Sequence, residues 1–297
     1  METNKLLNKF EKYILIDLGY LYNTFTGYKN NVINYLEWLT DNDIKPKKVT
    51  LNQLYDFIAY RREKGDADRT VTGFKSAITH FNQAIGMKSN PALMLSLAKC
   101  ERKTPTQLLD EEFLDAIYRD TSANTLVQKR DRCMLGMMLF MGLQRTELAS
   151  LQLEYLDLEN ARLYVPATPS TNERYIPLHP KQIMHLSQYI FDLRPKLLQY
   201  FKKETNQLFF SSGAGNNLDG ALNRILKRIK LECHYVRNFK QFKQSRMVIW
   251  VKEHGLRQAQ YLGGYRYVTS VQRYDSKNID DLQKKLEYHH PMEKMAM

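Results

Sequence analysis

The feature that most constrains the fold of this chain is a single short interruption of its helical periodicity. Between residues 156 and 180 the sequence reads LDLENARLYVPATPSTNERYIPLHP, with short alternating runs at 162–165 and 174–178. A turn rich in Pro, Ser, Thr and Asn separates these runs, which is typical of a β-hairpin or a small antiparallel sheet. Apolar residues elsewhere recur at helical spacing. The sequence therefore predicts a mainly α protein that contains one small antiparallel β-sheet.

The helical segments form two groups on either side of a polar stretch. Residues 1–99 predict about four helices, one of which Thr50 is suited to cap. The basic, Pro-containing segment at 100–107 predicts an interdomain linker, with an ordinary loop inside one domain as the alternative. We therefore predict a helical N-terminal domain over 1–99 and an α+β C-terminal domain over 108–297.

The sequence of this 297-residue chain argues against several classes of protein. No apolar run approaches the roughly 20 residues that span a bilayer, and the opening residues METNKLLNKFEKY lack the features of a signal peptide. Cys100, Cys133 and Cys233 are odd in number and far apart, which favours reduced thiols over disulfides or a zinc site. We expect a cytoplasmic protein without a metal site.

Positive charge is concentrated in the C-terminal third of the chain. Residues 222–273 carry 12 Lys and Arg against two acids, so these 52 residues hold a net charge of +10, while the whole chain carries +12. Such a concentration indicates a polyanionic partner, because phosphate neutralisation releases counterions and drives binding. A membrane surface, RNA and an acidic protein are weaker alternatives. We expect double-stranded DNA as the partner and a nucleoid-associated location in the cytoplasm.

Three segments resemble the tyrosine recombinase (phage integrase) family, and in particular a branch of mobile-element integrases. They read GLQRTELASLQLEYLDLENARLYVP at 142–166, TNERYIPL at 171–178 and SRMVIWVKEHGLRQAQYLGGYRYVTSVQRY at 245–274. The resemblance extends over essentially the whole chain. It implies a DNA core-binding domain followed by a tyrosine-recombinase catalytic domain. It also implies DNA strand transfer through a phosphotyrosyl intermediate, without a metal or nucleotide cofactor.

The resemblance places the nucleophile at Tyr274, ten residues after the Gly263-Gly264 pair. The alternative is an ordinary tyrosine among the 19 of the chain. A phenol with a reference pKa of about 10 needs activation to attack at neutral pH. Tyr265 falls where the family commonly has His or Trp. Its hydroxyl is expected to donate a hydrogen bond to a phosphate oxygen.

Most of the other catalytic positions depart from the family pattern. Gln144 stands where the first arginine is usual, Lys243 where the second is usual, and Lys240 where a histidine is usual. Lysine keeps the charge but lacks the planar fork that binds phosphate bidentately. Arg145 follows Gln144, yet one residue around a helix is a turn of about 100°. This departure leaves the cleavage activity open.

Further cations lie near these positions. Arg174 is the cation beside the hairpin turn, where the family has a lysine, and a salt bridge at the strand end is the equal alternative. Arg246 faces the same side of its helix as Lys243, and we expect it at the DNA backbone rather than as a replacement fork. Glu147 is expected to brace its helix. The other cations that we expect at DNA phosphates are Arg145, Arg237, Arg266, Lys227 and Arg228.

Two functions therefore remain. The first is a site-specific recombinase that integrates, excises or inverts a mobile element. The second is a catalytically impaired protein of the same fold that binds DNA as an accessory or regulatory factor. A short amphipathic helix is predicted at 278–288, and the resemblance implies that it joins neighbouring protomers into a dimer or tetramer on DNA. Packing on its own domain is the alternative.

Overall fold

The computed structural model describes residues 2–98, 105, 107–213 and 217–275 of the chain. The chain divides into two compact units, Met1–Arg102 and Lys103–Met297. The regular secondary structure of the described residues is helical apart from one three-stranded antiparallel sheet, so the predicted fold class is confirmed. None of the described helices is long and apolar enough to cross a membrane. The helix predicted at 278–288 lies outside the described residues.

Aromatic side chains at helical spacing form the core of the first unit. The Phe57 ring packs edge-on against Tyr35 and Phe74, with centroids 5.2 and 5.4 Å apart. Thr50 caps its helix as predicted, because its hydroxyl accepts a hydrogen bond from the Gln53 backbone N–H. The helices are α1 (Glu2–Lys12), α2 (Tyr22–Asp41), α3 (Leu51–Glu63) and α4 (Asp68–Ala84).

The second unit is built around one buried helix, α6. Met137 and Met138 on this helix are at most 1% exposed and fill the core. Its helices are α5 (Glu111–Asp120), α6 (Leu126–Phe140), α7 (Arg145–Ser150), α8 (Pro180–Gln188), α9 (Arg194–Phe201), α10 (Asp219–Glu232) and α11 (Phe239–Gly263).

The sheet of the second unit contains the predicted hairpin and one further strand. Its strands are β1 (Leu156–Asp157), β2 (Arg162–Val165) and β3 (Arg174–Pro177), in the order β1-β2-β3. Leu163 lies opposite Ile176, and both are buried, whereas Tyr164 lies opposite Tyr175 on the other face. This alternation is the period-2 signal that predicted the hairpin. Strand β1 has only two residues, too few to show alternation in the sequence.

Glycines shape the end of α11 and the turn that follows it. Gly255, with φ of 76°, interrupts the helix, and Gly264, with φ of 70°, ends it in the left-handed conformation. A Cβ at Gly264 would lie 2.5 Å from the Arg174 Nη1 atom, so this position needs glycine both for its backbone and for space. The Gly263-Gly264 pair therefore ends α11. The chain then continues through short 3-10 turns at Val268–Ser270 and Gln272–Tyr274.

Candidate active site

Six of the predicted site residues line one cavity of about 640 Å³ in the second unit. The cavity lies against residues of α6, α7, α10 and α11 and of the turns that follow α11. The cavity brings together predicted residues that lie as far as 130 positions apart in the sequence, from 144 to 274. The six predicted residues are Gln144, Arg145, Lys240, Lys243, Tyr265 and Tyr274.

Tyr274 is the last residue of the second 3-10 turn and is only 3% exposed. Its backbone N–H donates to the Val271 carbonyl at 2.8 Å, which fixes the turn. Its hydroxyl lies 3.0 Å from the Tyr265 hydroxyl. The Arg273 guanidinium lies over the Tyr274 ring, 5.0 Å from the centroid. The predicted nucleophile is thus held in one orientation by its turn and by a second tyrosine.

Tyr265 is fixed by the turn that ends α11. Its backbone N–H donates to the Gln260 carbonyl at 3.0 Å, and its own carbonyl accepts from the Gln260 side-chain amide at 3.1 Å. A Cβ at Gly263 would lie 2.9 Å from the Tyr265 ring, so the ring rests directly on a glycine. Burial raises the pKa of Tyr265, and the neighbouring Tyr274 raises it further. Tyr265 therefore stays a neutral hydrogen-bonding phenol at physiological pH.

Lys243 is buried beside the two tyrosines. Its ammonium donates to the Gly263 carbonyl at 3.1 Å, lies 3.6 Å from Glu147 Oε2 and lies 5.4 Å from the Tyr265 ring centroid. Burial lowers the pKa of Lys243 from the ordinary 10.5 to about 8, although Glu147 opposes the change. Between about pH 8 and 10.5 the unfolded chain binds the Lys243 ammonium proton more tightly than the folded chain does. The contribution of Lys243 to the free energy of unfolding therefore grows as pH rises through that window.

Glu147 is the fully buried anion that pairs with these cations. Its Oε1 atom lies 2.7 Å from Arg174 Nη1, and its Oε2 accepts from the Gln144 backbone N–H at 2.8 Å. Burial by itself raises the pKa of the Glu147 carboxyl, but Lys243 and Arg174 more than offset this effect and hold it below its usual range. The hydrogen bond to Gln144 confirms that Glu147 braces the start of α7.

Arg174 is placed differently from the prediction that it binds a DNA phosphate. It is 2% exposed and does not line the cavity. Besides the pair with Glu147, its Nε donates to the Leu262 carbonyl at 2.7 Å. Residue 174 begins β3 on the same inward face as Ile176, so strand alternation carries its side chain into the interior. The structure agrees with the alternative, a salt bridge of Arg174 at the end of the strand.

Three successive carbonyls at the end of α11 are occupied by groups from elsewhere in the unit. The Leu262 carbonyl accepts from Arg174, the Gly263 carbonyl from Lys243, and the Gly264 carbonyl from the Asn172 backbone N–H at 2.9 Å. Cations are favourable there because the C-terminus of a helix carries partial negative charge. The hairpin turn and the turn before Tyr265 are thereby held together.

Arg246 lies on the same side of α11 as Lys243, as expected from their spacing, but this side faces the core. It is 3% exposed and does not line the cavity. Its Nε donates to the Leu139 carbonyl at 3.0 Å, and its Nη1 lies 3.2 Å from Glu111 Oε1. Arg246 is therefore not placed for the expected contact with the DNA backbone, because its guanidinium binds a carbonyl at the C-terminal end of α6.

The remaining predicted cations are at the surface or half-buried. Lys240 is exposed at the start of α11. Arg145 donates to the Asn223 side chain and lies over the Phe239 ring, 5.2 Å from the centroid. Arg228 lies 2.9 Å from Asp131 Oδ2. The exposed cations outside the cavity are Lys227, Arg237 and Arg266.

The sequence did not predict four polar residues that line the cavity, namely Thr146, Asn223, Asn238 and Gln244. Asn238 caps α11 by accepting a hydrogen bond from the Gln241 backbone N–H. An Asn before a long helical run is a recognisable cap signal, so this residue could have been found. Asn223 and Gln244 carry no such signal, because their place depends on how α10 and α11 pack. No group of three or more His, Cys, Asp and Glu side chains suited to a metal lies within the described ranges.

The buried ion network gives a direct stability prediction. Glu147→Gln should lower the free energy of unfolding of the second unit by roughly 3–5 kcal/mol, because it leaves Arg174 and Lys243 buried without an anion. Urea denaturation followed by Trp250 fluorescence in a Trp38→Phe background measures this change. Glu154→Gln, at an exposed position, is the matched control. A loss equal to that of the control would contradict a net stabilising role for the Glu147 charge.

Two family models match this chain. The model of the phage integrase family matches residues 107–280, and that of the phage integrase N-terminal SAM-like domain matches residues 7–85. Tyrosine recombinase XerC of Anoxybacillus flavithermus is 24% identical over 299 residues, which cover 97% of this chain and 98% of the relative. Tyrosine recombinase XerD of Staphylococcus aureus is 25% identical over 300 residues, covering 98% and 99%.

Solved structures with a similar fold include DNA complexes. A post-cleavage complex of the XerH site-specific recombinase with palindromic difH substrate has a TM-score of 0.70 and 14% identity, covering 89% of this chain and 80% of that one. The Tn1549 transposon integrase with circular intermediate DNA has a TM-score of 0.66 and 17% identity, covering 95% and 99%. At this identity the likeness shows the fold. Since the first family model covers more than half of the chain, this protein belongs to the phage integrase family, that is, the tyrosine recombinases.

Proposed function

We propose that this protein is a DNA strand transferase that uses Tyr274 as its nucleophile. The observation that carries the proposal is the place of Tyr274 in the cavity that Arg145, Lys240 and Lys243 also line. Cations around a nucleophile favour the approach of a phosphodiester and stabilise the negative charge that gathers on its nonbridging oxygens during attack. Membership of the tyrosine recombinase family supports the same reaction.

The proposed reaction exchanges one phosphodiester bond for another. The Tyr274 hydroxyl gives its proton to water, and its oxygen bonds to phosphorus as the bond from phosphorus to the leaving strand oxygen breaks. That oxygen takes a proton from water and becomes a hydroxyl. A hydroxyl of another strand then gives its proton to water and bonds to phosphorus as the bond from phosphorus to the Tyr274 oxygen breaks. The Tyr274 oxygen takes a proton from water, and the strands are joined. The phosphotyrosyl bond conserves the energy of the phosphodiester, so the scheme includes no cofactor.

The proposed partner is double-stranded DNA, held by exposed cations of α10, of α11 and of the turns around it. Lys227, Lys240, Arg237 and Arg266 are exposed. Each cation that meets a phosphate displaces condensed counterions, so affinity must fall as salt rises. The DNA-bound relatives of similar fold support this assignment.

Lys240 gives the test of DNA binding. Affinity for a duplex, measured by fluorescence anisotropy between about 50 and 200 mM salt, should fall steeply, and Lys240→Gln should reduce the slope of log affinity against log salt by about 0.9. Lys202→Gln removes an equal, exposed charge outside the cavity and serves as the control. Affinity that does not respond to salt would contradict the phosphate contacts.

A covalent adduct tests strand transfer. The probe is a nicked or phosphorothiolate duplex that carries the sequence this protein selects from a random pool. Denaturing gels should show a protein–DNA adduct with the wild-type chain and none with Tyr274→Phe, since phenylalanine has no nucleophilic oxygen. Tyr267→Phe, at a residue 69% exposed, should keep the adduct. DNA that is bound tightly without any adduct would favour the second function.

The second function is an accessory or regulatory DNA-binding protein that does not cut. The place of Gln144 in the cavity favours it, because this residue brings no charge where the family usually has arginine. The burial of Arg174 and Arg246 outside the cavity favours it too, since neither provides a fork for phosphate.

Restoring an arginine fork tests whether positions 144 and 243 are the ones that face the phosphate. Gln144→Arg, alone and with Lys243→Arg, should raise the rate of adduct formation, by up to about three decades if the fork reaches the phosphate. Thr146→Arg adds the same charge to the cavity two residues away and is the control. An equal increase in both single variants would show that charge matters and that position 144 does not.

The biological setting is also a proposal. We propose that the protein acts in the cytoplasm, at the nucleoid, on the ends of a mobile element, and that it assembles as a dimer or tetramer on DNA. The similar fold of the Tn1549 transposon integrase supports the mobile element, whereas the relatives named XerC and XerD make chromosomal recombination the competing setting. The helix predicted at 278–288 is the proposed contact between protomers.

A further inference from the structure

Tyr265 and Tyr274 form a pair of phenols that share one hydrogen bond. Their oxygens are 3.0 Å apart. In the part of the chain that the structure describes, Tyr265 is the side chain that hydrogen-bonds to the Tyr274 hydroxyl, and neither carboxylate nor imidazole does so. The group that meets the proposed nucleophile is therefore a second phenol.

We propose that Tyr265 donates its hydroxyl proton to the oxygen of Tyr274 and so stabilises the ionised form of the nucleophile. This inference rests on the proposed function, because it assigns a role toward the attacking oxygen. When Tyr274 is ionised, its proton has passed to water. The Tyr265 proton stays on Tyr265 and is shared with the Tyr274 phenolate through the hydrogen bond. Tyr265 is then a catalytic residue that touches the reacting atom.

The direction of the hydrogen bond follows from the surroundings of Tyr265. Two phenolates 3.0 Å apart would repel each other, so one of the pair keeps its proton. Burial and the neighbouring phenol both raise the pKa of Tyr265, which makes it the proton donor. Arg273 over the Tyr274 ring and Lys243 over the Tyr265 ring place positive charge beside the pair. These charges favour one negative charge within it.

The role is incompatible with the one expected from the family position. A phenol has one proton to donate, and a phosphate oxygen is an acceptor. If Tyr265 donates to Tyr274, it has no proton left for the phosphate. The firm anchoring of Tyr265 by Gln260 and the contact of its ring with Gly263 keep the hydroxyl at the nucleophile.

The test places 3-fluorotyrosine at position 274 and follows its fluorine NMR shift against pH in the full chain without DNA. Tyr265→Phe should move the midpoint of ionisation upward by about 1–2 pH units, the size expected when a hydrogen bond to a charged group is lost. Phenylalanine keeps the ring, and circular dichroism checks the fold. Tyr267→Phe, two residues away and exposed, should leave the midpoint unchanged.

An unchanged midpoint in Tyr265→Phe would overturn the inference, and so would an equal shift in Tyr267→Phe. Because the titration needs no cleavage, it separates this inference from the proposed function. An adduct that forms normally with an unmoved midpoint contradicts only the role of Tyr265. A moved midpoint without any adduct contradicts strand transfer and leaves the role of Tyr265 standing.

Discussion

The second unit depends on one buried carboxylate. Glu147 has no exposed side-chain surface, and it joins the start of α7 to Arg174 of the hairpin and to Lys243 of α11. An ion buried this deeply is tolerated only with close opposite charges and further hydrogen bonds. Arg174 and Lys243 in turn occupy carbonyls at the end of α11. The turn that carries Tyr265 is therefore positioned by the same interaction that holds the hairpin.

This arrangement also determines which charges the cavity presents. Lys243 lies in the cavity, but its ammonium is already bound to Gly263 and paired with Glu147. Of the cations that line the cavity, Arg145 and Lys240 have no buried ion pair, and Gln144 brings no charge. A phosphate that enters would meet single point charges and one guanidinium already bonded to Asn223. Cleavage would then depend more heavily on how well Tyr274 itself is activated.

The sequence predicted those parts of the fold that local patterns specify. Alternation specified β2 and β3, the Thr50 cap specified the start of α3, and Gly264 specified the end of α11. These features depend on a few adjacent residues, so they can be read without knowledge of the packing. The two-residue strand β1 could not, because it exists only by pairing with β2.

The sequence predicted which residues share the cavity better than it predicted what each of them contacts. Six predicted residues share the cavity, since the fold of this chain brings the start of α7, the start of α11 and the turns after α11 together. The partners of Arg174 and Arg246 were not predictable, because a charged side chain next to a motif looks the same whether it faces DNA or a buried acid. The contact between Tyr265 and Tyr274 likewise depends on how two turns meet in space.

The central claim is that Tyr274 becomes covalently linked to DNA. The most direct measurement is mass spectrometry of the protein after reaction with a nicked duplex, followed by nuclease and protease digestion. We expect a nucleotide attached to the peptide that contains Tyr274, with fragment ions that place it on this tyrosine. A nucleotide on Tyr265 or on any other residue, or bound DNA with no modified peptide at all, would contradict it.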